Sequence, residues 1–371
     1  MAVYNWQRPD WPSFTYSLEG LEDALYVFSE KSGRVSGILE ALPEETRTEL
    51  VVDVLLAEAI KTSAIEGEYP DRADVLSSIR KNLGLHKGVE YIQDRSAVGL
   101  GELMISVRNT YRDPLTADTL YTWHRMLLGE RKDVEVGCWR THMDPMQVVS
   151  GVLGRTIVHF EAPPSDEVPV QMQRFIDWFN DTAPGGRGEI KKAAVRSAVA
   201  HLYFESIHPF EDGNGRIGRA IAEKALSQTV GRPVVLSLSR TIEAHKKEYY
   251  LSLEHAQREN EISAWIAYFV NVVLDAQVEA ERQIDFTLQK TKFFDKYDRL
   301  LSERQRLVIR RMFEEGPDGF KGGMNARKYS AITKVSKATA TRDLQQLLEL
   351  GIFVSTNTGG GRSTSYRVNV E

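Results

Sequence analysis

HPFEDGNGRIGR, residues 208–219, gathers one histidine, two carboxylates, three glycines, an asparagine and two arginines into twelve positions. Pro209 cannot continue a helical hydrogen-bond ladder and pushes its predecessor out of the α region. The helical pattern from Ile190 to Ile207 therefore stops with His208 held at its end. Gly213 and Gly215 free the main chain to turn tightly and let a bulky ligand approach its N–H groups. The next helix, read from Arg216 to Thr229, then begins. A glycine-rich turn that feeds a helix N-terminus aims several N–H groups and the positive end of the dipole at one spot, which suits an anion. Arg216 and Arg219, three apart on the first turn, reach the same side and hold phosphate oxygens bidentately. Asp212 is placed for a hard divalent cation, since Mg²⁺ ordinarily binds through one or two carboxylates plus substrate phosphates. His208 supplies the side chain suited to accept a proton near neutral pH. An anion cradle, a metal ligand and a base are the parts that transfer of a phosphate group needs.

Outward from this stretch the chain reads as mainly helical. Apolar positions at three- and four-residue steps predict helices from about Pro43 to Ile65, Asp71 to Leu83, Asp94 to Tyr111, Ala117 to Leu128, Val168 to Asn180, Arg240 to Gln257 and Ile262 to about Lys292. Strand signals are scarce. The exception is Gln147 to Pro164, where two β-branched runs flank a glycine-bearing turn and predict one hairpin on a helical body. From Leu301 the pattern becomes helix, glycine-rich loop, helix (Asn325 to Thr333), short turn, helix (Ser336 to Leu350) and a small hairpin (Phe353 to Ser355 with Ser365 to Val368). That order resembles a winged helix-turn-helix. Three regions are expected: a helical N-terminal region 1–115, a core 116–292 and the tail 293–371.

The 371 residues, 42% hydrophobic and 27% charged, describe an ordinary globular protein of two or three domains. A lone cysteine, Cys138, excludes an internal disulfide and a thiolate metal site, so a reducing cytoplasm is expected. The longest apolar run, from Ala264, is too short to span a bilayer, and no leader is read at the start; neither export nor a membrane anchor is expected. The net charge of −5 conceals a basic tail, net +5 over residues 302–371, which suits a mildly anionic partner.

HPFEDGNGRIGR resembles the signature of the Fic family, HPF-x-[D/E]-GNGR-x-x-R, with every specified position filled. The resemblance covers roughly Tyr121 to Val270 and implies a helical core with a flap hairpin, and transfer of AMP from Mg-ATP to a Ser, Thr or Tyr hydroxyl of a target protein or of the chain itself. It implies that His208 is the catalytic base, that Asp212 holds Mg²⁺, that Gly213, Asn214 and Gly215 form the anion hole, and that Arg216 and Arg219 grip the phosphates, with Phe210 a core plug. It also nominates Val158, His159, Phe160 and Glu161 as the flap edge along nucleotide and target, and Tyr249, Tyr250 and Gln257 as the wall around adenine and ribose. An edge strand of this kind captures an extended target loop by backbone pairing. TSAIEG, Thr62 to Gly67, resembles the family's inhibitory motif [S/T]-x-x-x-E-[G/N], which implies that Glu66 pairs with Arg219 and blocks the γ-phosphate position.

Plainer readings stand beside these. Glu66 is otherwise a surface glutamate at a helix stop, Tyr249 and Tyr250 are core aromatics, and His201 is a structural histidine, with His159 undecided. In the tail, Ser336 caps a possible recognition helix bearing Lys337, Thr339, Thr341 and Arg342; the module docks either DNA or protein, including a second copy in a homodimer. A DNA-binding regulator that uses the nucleotide pocket as a sensor, or an enzyme that removes AMP, are the alternative functions.

Overall fold

The structure is a computed structural model that describes residues 4–85, 94–129, 131–152, 155–317, 319–356 and 364–370. It divides into two compact units, Met1–Ala280 and Glu281–Glu371. The chain runs α1 (Glu22–Ala41), α2 (Glu44–Ile65), α3 (Arg72–Asn82), α4 (Arg95–Asn109), α5 (Ala117–Leu128), β1 (Gln147–Val152), β2 (Arg155–Glu161), α6 (Val168–Asp181), α7 (Ala193–Ile207), α8 (Asn214–Val230), α9 (Leu238–Ala244), α10 (Lys246–Ala256) and α11 (Ser263–Tyr297). The remaining elements are α12 (Glu303–Phe313), α13 (Ala326–Thr333), α14 (Lys337–Glu349), β3 (Phe353–Ser355) and β4 (Tyr366–Val368).

In the first unit α7 is the central helix, buried on every side from Ala194 to Ile207. Its small residues Ala194 and Ala198 bring it close to Ala222 and Leu226 of α8, to Trp265, Ile266 and Phe269 of α11, and to Leu25 and Phe28 of α1 in one apolar cluster. Arg196 pins the packing from within, donating to the carbonyls of Phe179 in α6 (2.7 Å) and Ala225 in α8 (3.1 Å). The antiparallel hairpin β1–β2 carries a bulge at Val148/Val149, and Phe160 anchors it edge-on against Tyr4 with the ring centroids 5.1 Å apart. Residues 153 and 154 of its turn lie outside the described residues.

Four features depart from the periodicity reading. Helix α1 was not expected, although Leu25, Phe28, Ser32, Val35 and Leu39 recur at three- and four-residue steps on its buried face; Gly33 and Gly37 dilute that signal. Helix α7 starts at Ala193 rather than Ile190, because Lys192 is still extended (φ −86°, ψ 101°). Helix α8 starts at Asn214, two residues earlier than Arg216, because Gly213 turns in at φ 81° and the ladder closes at once from Ile217 N–H to Gly213 O (3.0 Å). The single helix expected over Arg240–Gln257 is two, broken at His245 (φ −127°, ψ 36°), with Ser237 capping the first through Oγ to Arg240 N–H (3.2 Å).

The second unit holds α12, α13, α14 and the β3–β4 hairpin around Val308, Ile309, Met312, Tyr329, Leu344, Leu347 and Phe353. Ser302, Asn325 and Ser336 cap the three helices, and Met324 bridges to Tyr366. Lys337, Thr341 and Arg342 are exposed on α14, and Thr339 is half-buried. Most of the glycine-rich loop before Ser365, residues 357–363, lies outside the described residues. Among the described residues no helix is long and apolar enough to cross a membrane.

Candidate active site

The end of α7 sets the site. His208 adopts a left-handed backbone (φ 50°, ψ 60°), unusual for a side chain with a Cβ, and needs surrounding contacts to hold it. Arg140, fully buried, supplies them: Nε donates to His208 O (2.9 Å), Nη2 to Pro163 O (2.5 Å), Nη1 to Ser165 Oγ (2.7 Å), and its own N–H to Pro209 O (2.9 Å). Burial lowers the Arg140 pKa to about 10, which leaves it charged at neutral pH. Phe210 is buried as expected and lies flat on His124, centroids 4.0 Å apart. His124 accepts from Gly137 N–H at Nδ1 (2.8 Å), so its Nε2 carries the proton and donates to Asp212 O (3.1 Å). Burial drops the His124 pKa to about 4, and the ring is a neutral brace under the loop.

Asn214 does not present its side chain to a ligand. Its Oδ1 accepts from Phe210 N–H (2.9 Å) and its Nδ2 donates to Phe210 O (2.8 Å), stapling the loop shut. The anion-facing donors are main-chain groups instead, since the N–H groups of Asn214, Gly215 and Arg216 precede the first intrahelical bond of α8. Gly213 N–H is taken by Asp212 Oδ1 (2.5 Å). The other Asp212 oxygen accepts from Arg131 (2.5 Å), a residue the sequence pattern did not single out.

Arg219 is 1% exposed and its guanidinium is held from α2. Nε donates to Thr62 Oγ1 (2.8 Å), and Nη2 to both Thr62 O (2.9 Å) and Glu66 Oε1 (2.7 Å). Burial works against its charge, but Glu66 above all, with Tyr249 and Glu205, outweighs it and raises the pKa. Gly215 makes this contact sterically possible, because a Cβ there would stand 2.2 Å from Glu66 Oε1. A carboxylate of the chain thus rests against the helix mouth that the glycines open. Arg216, buried, is paired with Glu68, two residues further on, and approaches Asp212 Oδ1 at 3.5 Å.

These groups border a cavity of about 810 Å³ lined by Glu66, His208, Asp212, Gly213 and Gly215, by His159 and Phe160 of the flap, and by Tyr249, Tyr250, Glu254 and Gln257 of the α10 segment. Arg216, Arg219, Val158 and Glu161 lie outside that lining. Two of the nominated residues line the cavity from buried positions. Tyr249 is 1% exposed and its hydroxyl meets His201 Nε2 at 2.8 Å, so it is floor rather than a face on which a base stacks. Gln257 is buried and donates to Glu205 O (3.1 Å), bracing the end of α7. Tyr250 keeps an open face and turns its hydroxyl to Ile65 O (3.3 Å) and Glu66 Oε2 (3.4 Å). His159 ties the flap to α10 through Nδ1 and Glu254 Oε2 (3.0 Å). Lys246 and Lys247 add positive charge to the lining, and no motif marked them.

Residues 114–226 match the Fic/DOC family, and the histidine and glycine loop within that match line this cavity, with Arg216 and Arg219 buried behind it. This segment is a Fic domain. Ahead of it, residues 4–85 match a domain of unknown function, DUF4172, which contains α2 and Glu66. The protein adenylyltransferase fic-1 of Caenorhabditis elegans is 28% identical over 166 residues, 45% of this chain and 28% of that protein. The protein adenylyltransferase Fic of Nematostella vectensis is 24% identical over 237 residues, 63% of this chain and 48% of that protein. This chain therefore spans less than half of either relative's length. A Fic family protein from Desulfovibrio desulfuricans G20 superposes with a TM-score of 0.52 at 20% identity, covering 95% of this chain and 97% of that one. A Fic domain containing signaling protein from Bacteroides thetaiotaomicron reaches 0.54 at 18% identity, covering 71% and 97%. The fold is common to this chain and these two solved structures.

Proposed function

We propose that this chain transfers AMP from Mg-ATP to a Ser, Thr or Tyr hydroxyl of a protein, itself included, and that Glu66 restrains the reaction. The observation that carries the proposal is the Glu66 carboxylate seated on Arg219 and against Gly215, with His208 opening into the same cavity. An anion already occupies the cradle, which is the behaviour expected of a phosphate site held shut from within.

In the reaction the target oxygen attacks the α-phosphorus and forms a new O–P bond while the His208 imidazole takes the hydroxyl proton. The bond from the α-phosphorus to the oxygen bridging to the β-phosphate breaks, and pyrophosphate leaves with that electron pair. The main-chain N–H groups at the start of α8 bind phosphate oxygens, and Arg219, once released by Glu66, holds the far phosphate. Asp212 fits the single-carboxylate role that Mg²⁺ ordinarily asks of a protein, since its half-exposed carboxylate lines the cavity; Arg131 must yield one oxygen. Among the described residues no three His, Cys, Asp or Glu side chains converge as an all-protein metal cage. When bound, Mg²⁺ supplies charge neutralisation between the phosphates.

The test is intact-mass spectrometry after incubation with Mg-ATP. A gain of one AMP that appears with Glu66→Gly and vanishes when His208→Ala is added supports the reaction and the base together. No gain in the Glu66→Gly protein, with target extract or without, overturns the proposal.

A further inference from the structure

Glu205 lies on the last turn of α7, three residues before His208, and belongs to no motif read from the sequence. Its side chain is 5% exposed, and Oε2 stands 3.5 Å from His208 Nδ1. Among the described residues Oε1 has no hydrogen-bond donor, and His208 Nδ1 likewise has no other partner. Burying a carboxylate with an unused oxygen costs free energy unless its charge is used. The space it occupies is kept open from the facing helix, because a Cβ at Gly218 of α8 would fall 2.3 Å from Oε1.

Resting on the adenylyltransferase reading, we propose that Glu205 is a positioning residue, whose carboxylate holds the Nδ1–H of His208 so that Nε2 faces the cavity as the proton acceptor. The pair then acts as a buried acid behind a catalytic imidazole acts elsewhere: it fixes the tautomer and stabilises the imidazolium. Nε2 gains the hydroxyl proton as the O–P bond forms and pyrophosphate leaves, Glu205 keeps its charge throughout, and the proton later passes from Nε2 to solvent. At 3.5 Å the contact is long for a hydrogen bond, and such contacts tighten when substrate orders the site. The charged and titratable groups around the pair are His201 on α7, Arg219 on α8, Tyr249 on α10 and Glu66 at the end of α2. Burial pushes the Glu205 carboxyl up, but contact with His208 and the nearness of His201 and Arg219 outweigh it and leave the pKa below the ordinary glutamate value, so the group is anionic at neutral pH.

The test places Glu205→Gln in the Glu66→Gly protein. Gln keeps the shape and loses the charge. The expected result is a fall in kcat of at least about tenfold with KM for ATP unchanged, and an acid limb of the pH–rate profile that moves to lower pH. A merely structural role would lower stability or raise KM without moving that limb. Gly218→Ala, whose Cβ would fall 2.3 Å from Oε1 and so displaces the carboxylate from its place beside His208, is expected to act in the same direction and serves if the Gln variant does not fold. A folded Glu205→Gln protein with unchanged kcat and pH profile overturns the proposal. Should Glu66→Gly transfer no AMP at all, the function proposed above falls, but NMR titration of the His208 ring in the nucleotide-free protein still reads the pair: the ring titrating at lower pH in Glu205→Gln supports it, and an unmoved ring overturns it.

Discussion

Replacing Glu66 by glycine is expected to raise activity and lower stability together. In the intact chain Arg219 Nη2 donates to Glu66 Oε1 at 2.7 Å, a charge-assisted hydrogen bond of about 1.5–3 kcal/mol. The Glu66 side chain is 30% exposed, so the lower end applies, about 1.5–2 kcal/mol. Nucleotide must displace that contact before its terminal phosphate reaches Arg219, and 1.5–2 kcal/mol corresponds to roughly 10- to 30-fold in apparent affinity for the productive pose. Without Glu66, Arg219 keeps its bonds to Thr62 but remains buried with Nη1 unpaired and no anion beside it. A loss of about 2 kcal/mol follows, or roughly 3–4 °C in Tm for a unit of this size. Saturating Mg-ATP is expected to return most of that Tm, more than it adds to the unmodified chain. Thermal unfolding with and without nucleotide, beside the rate of self-modification, checks both signs. A rate that rises with no fall in Tm, or a Tm that falls with no rise in rate, would refute the reasoning.

Three more expectations follow from the geometry. Arg140→Ala removes the donors to the carbonyls of Pro163 and His208 and is expected to cost about 3–5 kcal/mol in urea unfolding, with Arg140→Lys recovering little because one ammonium cannot span the same acceptors. Glu223, its pKa pushed up to about 8 by burial first and the Glu58 carboxylate second against Arg108, is protonated in the fold and ionised in the unfolded chain between about pH 4.3 and 8. Its contribution is full below that window and lost as pH rises through 8, so Tm of the intact chain should fall relative to Glu223→Gln between pH 5 and 9; parallel curves would refute this. Glu68→Ala frees Arg216, and since Glu68 is well exposed the rise in self-modification is expected within about threefold, far below that of Glu66→Gly.

Much of the site was legible because its parts are close in sequence. Pro209 fixes the end of α7, glycines 213 and 215 fix the turn, and the order of the two predicts a helix mouth without any tertiary information. The Glu66–Arg219 pair, 153 residues apart, was reachable only through the family resemblance, since no local rule joins α2 to α8. Arg140, His124 and Glu205 were not found. Each acts through contacts that only folding creates, and each belongs to a type the eye passes over: a loop arginine, a helical histidine and a helical glutamate. Their signal was charge or imidazole inside apolar runs, as in AAVRSAVAHLYFESI, where a fully buried helix carries Arg196, His201 and Glu205. The side-chain directions of Asn214 and Tyr249 were not legible for the converse reason, because a motif gives residue identity and not the direction a side chain takes. The break at His245 has no Gly or Pro to announce it.

The group that fills the helix mouth belongs to the same polypeptide as the mouth. Its local concentration is therefore fixed by the tether, on the order of millimolar or above for short connections, and dilution of the protein leaves occupancy unchanged. Under the proposed function, nucleotide must outcompete a rival that never diffuses away, which raises its apparent dissociation constant by a fixed factor and leaves the saturation curve simple. Tyr69, 83% exposed just beyond Glu66, leaves the end of α2 open to contact from outside the nucleotide cavity.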